Sequence, residues 1–101
     1  MDLYIKGKNK NVDAHAIYNP ETGTFIVCKG SIISNKISQG SFRSAKSVEK
    51  QRNSDRVEGN LLVEDMEFKS ASPAANFVNG TSTNGMIAWK DKNGIPFKDL
   101  K

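Results

Sequence analysis

Three consecutive stretches decide the fold: Val12-Asp13-Ala14-His15-Ala16-Ile17-Tyr18, then Asn19-Pro20-Glu21-Thr22-Gly23, then Thr24-Phe25-Ile26-Val27-Cys28-Lys29. In the first, Val12, Ala14, Ala16 and Tyr18 share one parity, and Asp13, His15 and Ile17 the other. A period of two is the signature of a half-buried strand. The second is a dense turn cluster of Asn, Pro and Gly. The third is rich in β-formers and nearly all apolar, as expected of a strand in the middle of a sheet. Two strands joined by a short turn make an antiparallel hairpin. Upstream, residues 2–6 read as a short edge strand and residues 7–11 as a polar turn, which extends the hairpin to a meander with 24–29 its most buried strand.

Downstream the signals change. Residues 30–41, with Gly30, Gly40 and four serines, read as a surface loop holding a short ordered piece around Ile32-Ile33. Residues 42–58 lack Gly and Pro, and Phe42, Ala45 and Val48 recur at helical spacing ahead of Gly59. This predicts a helix closed by a C′ glycine. Residues 61–68 predict another strand, with Glu64, Asp65 and Glu67 interleaved. Ser72, Pro73 and Gly80 frame a helix of about two turns, with Ser72 as N-cap and Pro73 at the first helical position. So short a helix does not persist alone in water, and Trp89 is expected to be the core residue that packs on it. Met86–Lys90 reads as a strand, Lys92-Asn93-Gly94 as a hairpin turn, and Ile95–Leu100 as a strand that Pro96 restricts to an edge. The expected fold is α+β, a single domain over 1–101: a small, mainly antiparallel sheet of five or six strands with two helices packed on it.

The chain has 101 residues, of which 37% are hydrophobic. A chain of this length buries about 65% of its unfolded surface, enough for a modest core without metal or disulfide staples. Leu, Ile, Val and Phe total 23 residues, above the rough 20% that marks disordered chains. The one cysteine, Cys28, excludes an internal disulfide and is expected to be a small buried hydrophobe. The N-terminal residues show no secretory or transit pattern, and no apolar run approaches the roughly 20 residues that span a bilayer. The expected compartment is the cytoplasm, with no membrane partner.

The net charge is +4, and its placement is uneven. Residues 29–56 hold seven cations, Lys29, Lys36, Arg43, Lys46, Lys50, Arg52 and Arg56, against Glu49 and Asp55. That stretch is net +5 and the remainder net −1. A local basic patch attracts phosphates or other acidic surfaces. On the expected helix Arg43, Lys46 and Lys50 share one side, while Arg52 and Arg56 lie nearer the apolar stripe and are read as structural. Lys29-Gly30-Ser31 brings a cation, a flexible backbone and a hydroxyl together at a strand end. That is either a phosphate contact or a sharp exit from the sheet.

Catalytic signals are weak by comparison. One Cys and one His, His15, cannot build a Cys/His zinc site. The acids at 64–67 lack the spacing of a calcium loop. Lys29-Gly30-Ser31 has the wrong order for a phosphate loop, and no dinucleotide glycine fingerprint occurs. No nucleophile and base stand in a recognisable arrangement. The expectation is therefore no enzyme, no cofactor and no metal.

Four segments together carry a resemblance. They are Phe25-Ile26-Val27-Cys28-Lys29-Gly30-Ser31; Arg52 through Gly59-Asn60-Leu61; Phe68-Lys69-Ser70-Ala71-Ser72-Pro73-Ala74-Ala75; and Gly80-Thr81-Ser82-Thr83-Asn84-Gly85 running to Trp89-Lys90. The chain, over about 24–100, resembles the domain of unknown function that occurs C-terminal to GIY-YIG endonuclease domains and beside restriction-modification proteins. It departs from that pattern at Ala71, where the family often has Pro. The GIY-YIG pattern itself is absent from these residues. The resemblance implies an accessory module and carries over no catalysis. Together with the charge, it gives the functional expectation: weak, non-specific nucleic-acid binding through Lys29, Ser31, Arg43, Lys46 and Lys50. The rival expectation is a protein-interaction module that docks on a nuclease or restriction-modification partner.

Overall fold

The computed structural model describes residues 1–6, 12–34, 54–80 and 83–100. Strands β1 (Asp2–Lys6), β2 (Asp13–Asn19) and β3 (Thr24–Val27) form the expected meander. β6 (Met66–Phe68) completes a four-stranded sheet of order β1-β2-β3-β6, antiparallel throughout. β4 (Val57–Glu58) and β5 (Leu61–Leu62) make a separate two-stranded ribbon. Ile32 ties the two sheets together, pairing with Asp13 on one side and Leu61 on the other. Three short helices follow: α1 (Ala71–Asn79), α2 (Gly85–Ala88) and α3 (Phe97–Leu100). The class is α+β, as expected, with six strands in two antiparallel sheets among the described residues.

The helices cover one face of the large sheet. The alternation in β1 and β2 turns Leu3, Ile5, Ala14 and Ala16 to that face, where all are buried. Phe25 and Val27 of β3 and Met66 and Phe68 of β6 continue it. The small side chains of Ala74 and Ala75 let α1 approach closely, and the Phe77 ring packs on that of Phe68, tilted by 37° with centroids 5.2 Å apart. Phe25 is the centre of an aromatic cluster: its ring lies 5.1 Å from Phe97, 5.2 Å from Tyr18 and 5.8 Å from Trp89. Trp89 is fully buried, and its indole Nε1 donates to the Ala71 carbonyl at 3.0 Å. The expected packing of the 71–79 helix against Trp89 is therefore present, with a hydrogen bond between them.

Several local expectations are corrected. Of the helix expected over 42–58, residues 42–53 lie outside the described residues, and residues 54–58 are a turn followed by β4. Gly59 does adopt the left-handed conformation, φ 63°, but in the two-residue turn between β4 and β5. A hairpin turn and a helix C-terminus call for the same glycine, so its presence does not separate the two. The strand expected over 61–68 breaks at Val63-Glu64-Asp65, and its halves join different sheets. Met86–Lys90 is not a strand. Asn84 accepts from the Met86 amide at 3.0 Å and starts the helical turn α2, so that only Lys90 keeps a β pairing, with Tyr4 and Pro96. Ile95–Leu100 likewise pairs only at Pro96 before α3 begins.

The helix cap also moves. α1 starts at Ala71, with Ser70 as N-cap and no side-chain capping bond. Ser72 lies in the first turn, where its Oγ accepts from the Gly85 amide at 3.1 Å. The two serines should therefore respond differently to alanine. Ser70→Ala is expected to change stability by less than about 0.5 kcal/mol, the usual range for surface positions without such a bond. Ser72→Ala leaves a part-buried amide unpaired and should cost about 1–2 kcal/mol. Urea unfolding of both variants checks this. The opposite order would mean that Ser70 caps α1 through its side chain and that the Ser72–Gly85 bond contributes little.

Candidate nucleic-acid interface

Lys29-Gly30-Ser31 turns the chain sharply out of β3. Gly30 has φ 90°, a left-handed value that side chains disfavour. The Gly30 amide donates to the Leu62 carbonyl at 2.7 Å, and the Lys29 amide to Asp65 Oδ1 at 2.7 Å. Ser31 is buried, and its hydroxyl is spent on one residue: Oγ accepts from the His15 amide at 3.0 Å and donates to the His15 carbonyl at 3.3 Å. At Ser31 the sharp-exit reading therefore describes the geometry, and the hydroxyl is turned inward, away from any surface ligand. Lys29 is exposed beside it. Arg43, Lys46 and Lys50 lie outside the described residues.

Topology sharpens the charge argument. The described residues hold seven cations against ten anions, net −3. Residues 7–11 add Lys8 and Lys10, and residues 35–53 add five cations against Glu49, net +4. Both segments join the described structure at the same end of the sheet. Residues 7–11 connect β1 to β2 beyond the Lys6–Asp13 pair. Residues 35–53 connect Ser34 to Ser54, and Ile32, two residues before Ser34, is hydrogen-bonded to Asp13 in both directions at 2.9 Å. The Ile33 amide donates to the Asn60 carbonyl at 2.8 Å, which anchors the exit of that segment beside the β4–β5 turn. Lys6 and Lys29 stand at this same end. The acids there are partly engaged: Asp65 holds the Lys29 amide, and Glu64 lies 3.7 Å from Arg56.

The uncovered face of the sheet carries groups that sequence reading did not single out. Tyr4 pairs with His15 in register, and their rings stack with centroids 4.9 Å apart and planes 12° apart. His15 Nε2 lies 3.0 Å from Asp2 Oδ1. The sequence pattern places Tyr4 in an edge strand and offers His15 as a lone histidine; only the β1–β2 register brings them together. Cys28 lies one strand further, its amide donating to the His15 carbonyl at 2.8 Å. It is half-buried on this face rather than in the core. Burial, then the nearby Asp65 and Asp2 charges, pushes its thiol above the ordinary value. A thiol held protonated is a poor nucleophile. Among the described residues no three His, Cys, Asp or Glu side chains converge as a metal site, and no helix is long and apolar enough to cross a membrane.

Of the segments that carry the resemblance, the two later ones, 68–75 and 80–90, are joined by a set of hydrogen bonds that builds the fold. Ser72 and Gly85 join α1 to α2, Asn76 Oδ1 accepts from the Thr83 amide at 2.8 Å, and Asn79 Nδ2 donates to Thr83 Oγ1 at 3.3 Å. Gly80 ends α1 with φ 70°, its amide bonded to the Asn76 carbonyl. Trp89 closes the clasp from within the core. None of these side chains belongs to the basic end of the sheet. No similar curated protein and no similar solved structure was found. A family model does match, over residues 3–101, and its span includes the meander, the clasp and Trp89 alike. The chain belongs to the family described as Domain of unknown function (DUF4357).

Proposed function

We propose that the chain is a non-catalytic accessory module that binds nucleic acid weakly and without strong sequence preference, through Lys29, Arg43, Lys46 and Lys50. The observation that carries this reading is the division of charge: a scaffold of net −3 against basic segments that join it at one end. The resemblance to a domain found with GIY-YIG endonucleases and restriction-modification proteins supports it by association.

Phosphate contacts release counterions, so log affinity for duplex DNA falls with log salt by about 0.9 per phosphate neutralised. Three or four contacts give a slope near −3, with dissociation constants on the order of 10⁻⁴ to 10⁻⁶ M at physiological salt. Replacing Arg43, Lys46 and Lys50 together by alanine should flatten the slope to about −1 by the same rule, with thermal unfolding as the check that the fold is kept. Fluorescence anisotropy of a labelled oligonucleotide measures both. The rival reading, docking on a nuclease or modification partner, draws on the exposed Ile17 beside Ile26, flanked by Asp2 and Glu67. It predicts no salt-dependent binding of nucleic acid at all.

A further inference from the structure

We propose that the ligand of this module is a single strand, and that its bases are taken up on the uncovered face of the sheet at Tyr4 and His15. The proposal rests on the nucleic-acid reading above and adds the form of the ligand. In an antiparallel pairing, residues directly opposite one another lie on one face. Lys90 opposes Tyr4, Tyr4 opposes His15, and the Cys28 amide is bonded to the His15 carbonyl. A row of cation, phenol ring, imidazole and short thiol therefore crosses the sheet. Trp89 and Leu3, of opposite parity, are fully buried on the other face.

The neighbouring rows give this one a direction. On one side lie Asp2, Ile17, Ile26 and Glu67, acidic at both ends. On the other lie Lys6 and, directly opposite it, Asp13, and then the end where the basic segments join. A single strand needs two things of a protein: cations that follow the phosphates, and ring faces or flat apolar surface for bases that are not paired. Lys6, Lys29 and Lys90 border the row, and the Tyr4–His15 pair is its centre. The two rings are half-buried, with 39% of the His15 side chain exposed. They are preordered by their own stacking and by Asp2. Across the strands from His15 stands Cys28, whose short side chain takes little space beside the imidazole. A cation at the end of such a row also adds attraction to a stacked ring system.

Among the described residues, duplex recognition has no comparable support. Reading the major groove needs a helix or ribbon that enters it with basic or amide side chains. α1, nine residues long, contains no charged residue, and α2 and α3 have four residues each. A paired duplex also keeps its base faces stacked internally and so gains nothing from Tyr4 and His15.

The test uses the full chain, a short labelled oligothymidylate, the duplex it forms with its complement, and an abasic oligonucleotide with the same number of phosphates. All are compared at one low salt concentration by anisotropy. The single strand is expected to bind at least about tenfold more tightly than either the duplex or the abasic strand, since stacking on an aromatic side chain is worth roughly that much per base. Tyr4→Leu, with its fold checked by circular dichroism, should lose about the same factor for the single strand, keep the same salt slope, and leave abasic binding unchanged. The abasic comparison needs no variant and stands even if Tyr4→Leu unfolds. Equal, salt-dependent binding of all three would overturn the single-strand proposal and leave the nucleic-acid reading intact. No binding of any of them would overturn both.

Discussion

Replacing Trp89 by alanine should destabilise the protein by about 3–5 kcal/mol, the range found when a large buried aromatic is removed from a core. Two effects act together. The indole is fully buried against Phe25, and its removal opens a cavity between the sheet and α1. Its Nε1 also donates to the Ala71 carbonyl at 3.0 Å, so truncation withdraws a donor from a buried acceptor at the start of α1. A helix of nine residues depends on such tertiary contacts, because its own nucleation is unfavourable. Typical domains have only about 5–15 kcal/mol in total, so the variant should melt at least ~12 °C lower. Trp89→Phe keeps most of the volume and should lose about 1–2 kcal/mol, chiefly the hydrogen bond. A melting temperature unchanged by Trp89→Ala would remove Trp89 from the core and with it this account of the clasp.

Gly85→Ala should be of similar size, although the sequence argues for the opposite sign. Gly85 is the first residue of α2, and alanine is favoured over glycine inside a helix by roughly 1 kcal/mol. Here the backbone of α2 lies directly on that of α1. A Cβ at Gly85 would overlap the carbonyl group of Ala71 and the amide nitrogen of Ser72, both main-chain atoms with no rotamer to yield. The φ at Gly85 is not left-handed, so the obstacle is space alone. Overpacking against backbone costs about 3 kcal/mol or more, which outweighs the gain in propensity. It would also part the Gly85 amide from Ser72 Oγ. Calorimetric unfolding of Gly85→Ala checks the sign. A more stable variant would mean that α1 and α2 stand further apart than described.

The parts of the fold that the sequence discloses are those set by local pattern. The alternation from Val12 to Tyr18 and the turn at 19–23 are satisfied within one hairpin, so the meander is legible without the rest of the chain. Gly80 marks the end of α1 because a left-handed residue is needed there. The misread parts depend on distant contacts. Met86-Ile87-Ala88 has strand-like composition, yet four residues become helical because Asn84 caps them and Gly85 must lie against Ala71. Which of Ser70 and Ser72 caps α1 depends on where α2 stands. The candidate site divides in the same way. Clustering of cations between 29 and 56 is visible in the sequence. Whether Ser31 turns its hydroxyl outward is not, since its partner is the main chain of His15, on another strand. Tyr4 and His15 become neighbours only through a register of eleven residues' separation.

The proposal places binding at the basic end and the open face of the sheet, while the Ser72–Gly85–Trp89 clasp serves as scaffold. Backbone amide spectra of the labelled protein, recorded as a short oligothymidylate is added, test it most directly. The account predicts that signals of Tyr4, Lys6, Asp13, His15, Lys29 and Lys90 shift, with those of Arg43, Lys46 and Lys50. It also predicts that the Trp89 indole, Ser72 and Asn76 signals stay in place. Shifts centred on the Ser72–Gly85–Trp89 clasp, with the basic residues unmoved, would contradict it.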